Sequence, residues 1–295
     1  VLALTAVMPD GRIIKTGTRA KKSSAGYDLT RLLIGSDGTL GIIPAITLRL
    51  HGLPDAITGG ICPSATLEDA CNAVIATIQS GIPVARIELL DTLQVQASNA
   101  YSKLSLEEAP TLLLEFHGSE TGVREQAEMF GEIAGEFGGG EFRWARGQEE
   151  RTKLWQARHD AYWACVSLRP GTKAVATDVC VPISRLAECI LATKADIERL
   201  GMVAPIVGHV GDGNFHVSVM VDMDDKAEVA RVEGFMHDLV EPAIAMDGPC
   251  TGQHRVGHGK LKSPDPELGG PLDLMPTVTN APDPPTHLIP RHHAT

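Results

Sequence analysis

Gly208-His209-Val210-Gly211-Asp212-Gly213-Asn214-Phe215-His216 follows an apolar run at 203–207 and leads into an alternating run at 215–221. The pattern predicts two strands joined by a tight turn, with Asp212-Gly213 as its central residues. That register opposes Gly211 to Asn214, Val210 to Phe215 and His209 to His216. Directly opposed residues share a sheet face with Cβ atoms about 4.5–5.5 Å apart, a spacing at which two imidazoles can hold one metal ion. The same spacing also suits a satisfied polar pair on a sheet surface, and a loop longer than two residues would undo the opposition.

On either side of this stretch, helical and strand patterns alternate. A capping box of Thr66 and Asp69 opens a helix to about Gln79. Strands are predicted at 84–90, 111–116, 141–145 and 174–182, and amphipathic helices at 121–137, 148–168, 184–200 and 226–246. Helices alternating with strands around a central hairpin predict an α+β domain with a helix-covered antiparallel or mixed sheet of the ferredoxin-like kind, over residues 54–264. No internal repeat is visible. Residues 1–53 read as a separate region of strands and turns, with Pro9-Asp10-Gly11 between two strands and a seam at Gly52-Leu53-Pro54. The stretch 265–295 is crowded with proline, and Pro276 would stop a helix begun at 271; an irregular tail is expected. The chain opens on Val1 within an apolar strand pattern, which reads as a fragment whose start lies upstream.

Composition narrows the function classes. A net charge of −11 argues against a nucleic-acid or anionic-membrane surface. No apolar run approaches the ~18 residues needed to span a bilayer. The six cysteines form no C-x-x-C pair and mostly sit in apolar runs, so buried thiols in a reducing compartment are expected. With aromatics at 4%, the core must be mainly aliphatic.

Four further places could carry chemistry. In Ile34-Gly35-Ser36-Asp37-Gly38-Thr39-Leu40-Gly41-Ile42, three glycines in seven residues let backbone N–H groups approach a ligand such as a pyrophosphate. It is neither a Walker A loop nor a G-x-G-x-x-G fingerprint, and a plain loop between strands has the same look. Cys250-Thr251-Gly252-Gln253-His254-Arg255-Val256-Gly257-His258-Gly259-Lys260 crowds glycine, histidine and basic residues as a site loop does, or as a solvated helix cap does. Arg158 and Lys173 could bind an anion or simply face solvent. Together the set suits a 2-hydroxy acid. A metal on two imidazoles can polarise a hydroxyl, a histidine can take its proton, and Arg and Lys can hold a carboxylate. Removing the α-hydrogen as hydride then needs an acceptor cofactor.

Three motifs in this order, SAGYDLTRLLIGSDGTLGI, GHVGDGNFH and CTGQHRVGHGK, resemble the FAD-linked oxidases of the vanillyl-alcohol oxidase type, in the branch acting on D-2-hydroxy acids. The resemblance covers nearly the whole chain. It implies that residues 1–53 are the C-terminal remnant of a PCMH-type FAD-binding domain and that 54–264 form the substrate or cap domain. It implies that Gly35, Ser36, Gly38, Thr39, Gly41 and Ile42 lie against FAD. It gives His209, His216 and Gln253 to a divalent metal, zinc or manganese, with Gln253 standing where the family carries Glu. It makes His254 the base and gives Arg158 and Lys173 to the substrate carboxylate. The implied activity is oxidation of a D-2-hydroxy acid, D-lactate first, with electrons passing to cytochrome c or a similar acceptor. A cytoplasmic or mitochondrial protein is implied, peripheral to a membrane at most and open to homodimer formation. Gln253, Arg255 and the proline-laden tail also fit a degenerate relative that only binds metal or another subunit.

Overall fold

The computed structural model describes residues 1–145, 147–249, 251–252, 267–283 and 288. The chain forms two compact units, one of Val1–Leu53 with Val256–Thr295 and one of Pro54–Arg255. In the first, β1 (Ala3–Val7) pairs antiparallel with β2 (Ile13–Lys15) and with β3 (Ile42–Thr47). The short helix α1 (Leu29–Leu33) is capped by Asp28, whose carboxylate accepts from Arg31 N. Leu4, Ala6, Leu33 and Leu40 make a small core.

The second unit carries an eight-stranded sheet built from β4 (Ala56–Pro63), β5 (Val84–Leu90), β6 (Thr111–Gly118), β7 (Arg143–Trp144), β8 (Lys173–Ala176), β9 (Val179–Cys180), β10 (Ile206–Gly208) and β11 (Asn214–Val221). The order is β7-β4-β6-β5-β10-β11-β8, with β9 also on β11. Its helices are α2 (Leu67–Gln79), α3 (Thr92–Ser102), α4 (Glu120–Glu136), α5 (Gln148–His159), α6 (Ala161–Ser167), α7 (Leu186–Arg199) and α8 (Lys226–Ala245). The stretch β4-α2-β5-β6-α4-β7 lies in the spatial order fourth, first, third, second, which is the ferredoxin-like arrangement that the sequence predicts. The stretch β9-α7-β10-β11-α8 repeats its first three strands, and β5 against β10 joins the halves. This duplication of topology left no repeat in the sequence.

Local chemistry explains the elements. Thr66 caps α2 by accepting from Asp69 N, and its hydroxyl donates to the Asp69 carboxylate at 2.6 Å. Ser119 caps α4 by accepting from Gly122 N, and Asp225 caps α8 by accepting from Ala227 N and Glu228 N. One face of the sheet buries Ile87, Leu89, Leu112, Leu114, Phe116, Val217 and Val219 beneath stripes from α2, α4, α7 and α8. The other face buries Leu90, Leu113 and Val207 beneath Val95 of α3 and Ala161 of α6, with Trp155 of α5 packed against them. Period-2 alternation along β5 therefore puts Arg86 and Glu88 on that second face with Leu90.

Several expectations change. The helix predicted at 148–168 is two helices that meet at Asp160. The strand predicted at 141–145 shortens to Arg143–Trp144. Helix α3 was not foreseen: its apolar residues are few, and its start depends on the buried carboxylate of Asp91 accepting from Gln94 N at 2.8 Å. The tail expected to be irregular contains α9 (Gly270–Asn280), which runs through Pro276. That proline removes one helical donor, but Pro271 at the start of α9 sits where its missing N–H has no helical partner to lose.

Candidate active site

The hairpin differs from the predicted one in register. Val207 opposes His216 and Ile206 opposes Val217, so the histidines are not directly opposed. The loop is longer, with a 3-10 turn at Val210–Asp212 closed by Gly213 at φ +75°. The reason is burial. Val210 is fully buried, and Gly211 packs so closely on Ile87 that a Cβ would come within 2.5 Å of its side chain. A two-residue turn would have left Val210 in the ladder. The imidazoles nonetheless meet across the loop, with ring centres 6.0 Å apart and planes at 88°.

Each histidine is oriented through Nδ1. His216 Nδ1 lies 2.9 Å from the Thr177 carbonyl. That carbonyl is available because the Thr177 hydroxyl accepts the ladder bond from Val217 N at 2.9 Å in its place. The strand predicted at 174–182 is interrupted at this point, between β8 and β9, without losing register on β11. His209 Nδ1 lies 2.6 Å from Oε1 of Glu88. The other carboxylate oxygen of Glu88 accepts from Nε of Arg158 at 3.0 Å, with Nη2 in ion-pair contact at the same distance. Glu88 and Arg158 side chains are only 8% and 15% exposed, so the two charges are desolvated together and satisfy each other.

Glu88, Arg158 and His209 line a cavity of about 540 Å³ together with Arg86, Trp155, His159 and Asp212. Arg86 stacks on Trp155 at 5.0 Å. Among the described residues, the charged lining is Arg86 and Arg158 against Glu88 and Asp212, so these fixed charges balance. An anion entering here would gain from directed hydrogen bonds more than from a net positive field.

Sequence reasoning missed Glu88. The signal was present: a carboxylate in the run Val84–Leu90, whose last four residues are all buried. It brings together Arg158 and His209, which the sequence did single out. Lys173 opens β8 opposite Val221, is exposed, and shares no hydrogen bond or ion pair with these groups. Gln253 and His254 lie outside the described residues. The loop's approach to them is fixed by buried Asp178, which accepts from the Thr251 hydroxyl at 2.7 Å and from Asn214 Nδ2 at 3.0 Å. A Cβ on Gly252 would sit 2.3 Å from that Asn214 nitrogen.

Among the described residues no group of three or more His, Cys, Asp and Glu is placed to hold an ion, and His209 and His216 alone are two ligands.

In the first unit, the glycine-rich loop has Gly35, Asp37 and Gly38 at positive φ. Thr39 N and the Thr39 hydroxyl both donate to the Ser36 carbonyl, at 2.9 and 2.6 Å. A Cβ on Gly41 would sit 3.1 Å from the Val7 carbonyl. The Ser36 hydroxyl is buried with no hydrogen-bond partner among the described residues. An orphaned donor in a loop with little side chain of its own fits a polar ligand lying against the backbone.

The family described as FAD linked oxidases, C-terminal domain, matches residues 53–291. The chain belongs to this family. Over 91% of its length it is 47% identical to the Danio rerio protein named "Probable D-lactate dehydrogenase, mitochondrial", and covers 55% of that protein. Over 99% it is 44% identical to the Arabidopsis thaliana "D-lactate dehydrogenase [cytochrome], mitochondrial", covering 53%. The chain thus spans about half the length of these curated relatives. Among solved structures, 4-ethylphenol oxidase from Gulosibacter chungangensis matches with a TM-score of 0.71 at 14% identity, over 96% of this chain and 63% of that one. p-Cresol methylhydroxylase with substrate bound matches with a TM-score of 0.70, also at 14%, over 96% and 62%. At that identity they show the fold alone.

Proposed function

We propose that the protein carrying this chain oxidises a D-2-hydroxy acid, D-lactate first, to the 2-oxo acid and delivers the electrons to cytochrome c or a similar acceptor. The observation that carries this reading is the convergence of Arg158 and His209, 51 positions apart in sequence, on one carboxylate in the wall of a cavity. The mitochondrial relatives with D-lactate in their names support the substrate, the acceptor and a mitochondrial location. FAD, when bound, supplies the two-electron acceptor for the hydride leaving Cα. Gly35, Ser36, Gly38, Thr39, Gly41 and Ile42 would hold it, with the Ser36 hydroxyl finding the partner it lacks.

Arg158 keeps Nη1 and part of Nη2 clear of Glu88, and this edge would grip the substrate carboxylate. Lys173 would add a second positive charge. His254 would accept the hydroxyl proton as base. His209, His216 and Gln253 would hold zinc or manganese, which supplies Lewis-acid polarisation of the hydroxyl. Engagement of both Nδ1 atoms by oxygen supports that assignment, because metal-bound histidines are oriented in this way, and Nε2 is then the nitrogen a metal would take.

The test is flavin absorbance and D-lactate-dependent dye reduction in the full-length protein. Both are expected, and a protein with neither ends this reading. A second reading, a non-catalytic relative, is favoured by the neutral Gln253 beside a two-histidine pair. Gln253→Glu separates the two: gains in metal affinity and turnover mark an enzyme, and no change in either marks a binding module.

A further inference from the structure

We propose that Glu88 is a positioning residue for this site, an inference resting on the hydroxy-acid reading above. Its two carboxylate oxygens do different work. Oε2 takes Nε and Nη2 of Arg158, and Oε1 takes Nδ1 of His209. The guanidinium is thereby locked by one edge, and its other edge is presented in a fixed plane. A carboxylate only accepts hydrogen bonds, so His209 carries a proton on Nδ1 and Nε2 is the ring nitrogen turned away from Glu88. One buried side chain thus fixes the plane of the group that receives the substrate carboxylate and the tautomer of the imidazole beside it.

Three features separate this from an ordinary ion pair. Pairing with Arg158 alone would satisfy the charge, yet Glu88 also reaches a residue 121 positions away. All three side chains line the same cavity. The fixed charges of the described lining residues balance, so binding of an anion depends on how the Arg158 donors are aimed.

Glu88→Gln keeps the volume but offers one acceptor oxygen for two donors and turns an NH2 group against the other. In the full-length protein we expect oxalate binding, measured by calorimetry, to weaken about ten- to a hundred-fold. The KM for D-lactate should rise with it, and the thermal midpoint should fall, because Arg158 keeps its buried charge without the carboxylate. The 15N resonances of His209, read with labelled histidine and assigned through His209→Gln, should leave the Nδ1–H tautomer pattern. Glu88→Asp should recover part of the oxalate affinity. This variant also serves if Glu88→Gln fails to fold. Wild-type oxalate affinity together with unchanged His209 resonances in either folded variant overturns the proposal. Arg158→Ala separates the two levels. If it abolishes oxalate binding while the Glu88 variants do not, only the positioning role falls. If it too binds oxalate normally, the hydroxy-acid reading falls.

Discussion

The same face of the sheet carries two buried glutamates, each with an arginine and a histidine, and they do not do the same thing. Glu88 on β5 draws Arg158 from a helix and His209 from a hairpin loop. Glu115 on β6 takes His117 from its own strand, two residues on, at 2.7 Å, and Arg86 from the adjacent strand at a loose 3.6 Å. Both carboxylates are about equally buried, at 8% and 7%. The arginines differ, at 15% exposed for Arg158 and 48% for Arg86. One composition therefore yields an organising centre when its partners are distant and dry, and an edge contact when they are local and wet.

The largest expected difference is in stability. Arg158→Ala leaves the Glu88 charge buried with only an imidazole beside it, and should cost about 3 kcal/mol or more. Arg86→Ala removes a half-exposed cation from a long contact and should cost under about 1 kcal/mol. Urea midpoints of the two variants check this. Equal shifts would erase the distinction between the two centres.

Next comes the loop that only the first centre needs. Gly213 holds φ +75°, and a Cβ there would sit 2.1 Å from the Val181 carbonyl. Gly213→Ala should destabilise by about 1–3 kcal/mol and pull His209 away from Glu88, while the Glu115–His117 contact stays. Separate 15N tautomer patterns for His209 and His117 would report the two centres independently, and a change at both would break the comparison.

How much of this was legible in the sequence follows the same division. Local chemistry was readable: the Thr66 cap, the strand at 84–90 and the helix–strand alternation are set by neighbours in the chain. The hairpin was found but misregistered, because Asp-Gly announces a tight turn, whereas the burial of Val210 against the β5 side of the core decides the loop. His209 was found by motif and Arg158 as an arginine on a helix that the family resemblance gives to the substrate, but nothing local to Glu88 announces that it joins them, since its partners lie 70 and 121 residues away. Helix α9 was hidden by Pro276, which argues against the very helix that contains it.

The paired glutamates contrast with buried groups that have no counter-charge. Burial pushes the thiols of Cys62 and Cys189 up to about 11 and those of Cys71 and Cys165 up to about 12, from 9.0. In this window the folded chain holds protons that the unfolded chain has released. Stability from these thiols is therefore complete below about pH 9 and is lost as pH rises through about 11–12. Urea midpoints measured from pH 8 to 11 should fall steadily above 9. Cys71→Ala should flatten part of that fall, and a slope unchanged by the substitution would place the alkaline loss elsewhere.

The smallest effect tests the comparison most closely. Glu115→Gln removes a charge whose arginine is already half in water and whose histidine lies on the same strand. His117 and Arg86 both lie on Oε1, so the amide oxygen in that place can still accept from His117 and face Arg86. The net loss should be within about 1 kcal/mol, and D-lactate KM in the full-length protein should stay near the wild-type value, since the altered contact does not hold Arg158 or His209. The instructive failure would be a KM that rises as it does for Glu88→Gln. Arg86 lines the same cavity and stacks on Trp155, three residues before Arg158 in α5, so such a rise would mean that the aromatic ring carries the disturbance from one glutamate centre to the other. The two would then be halves of one binding wall.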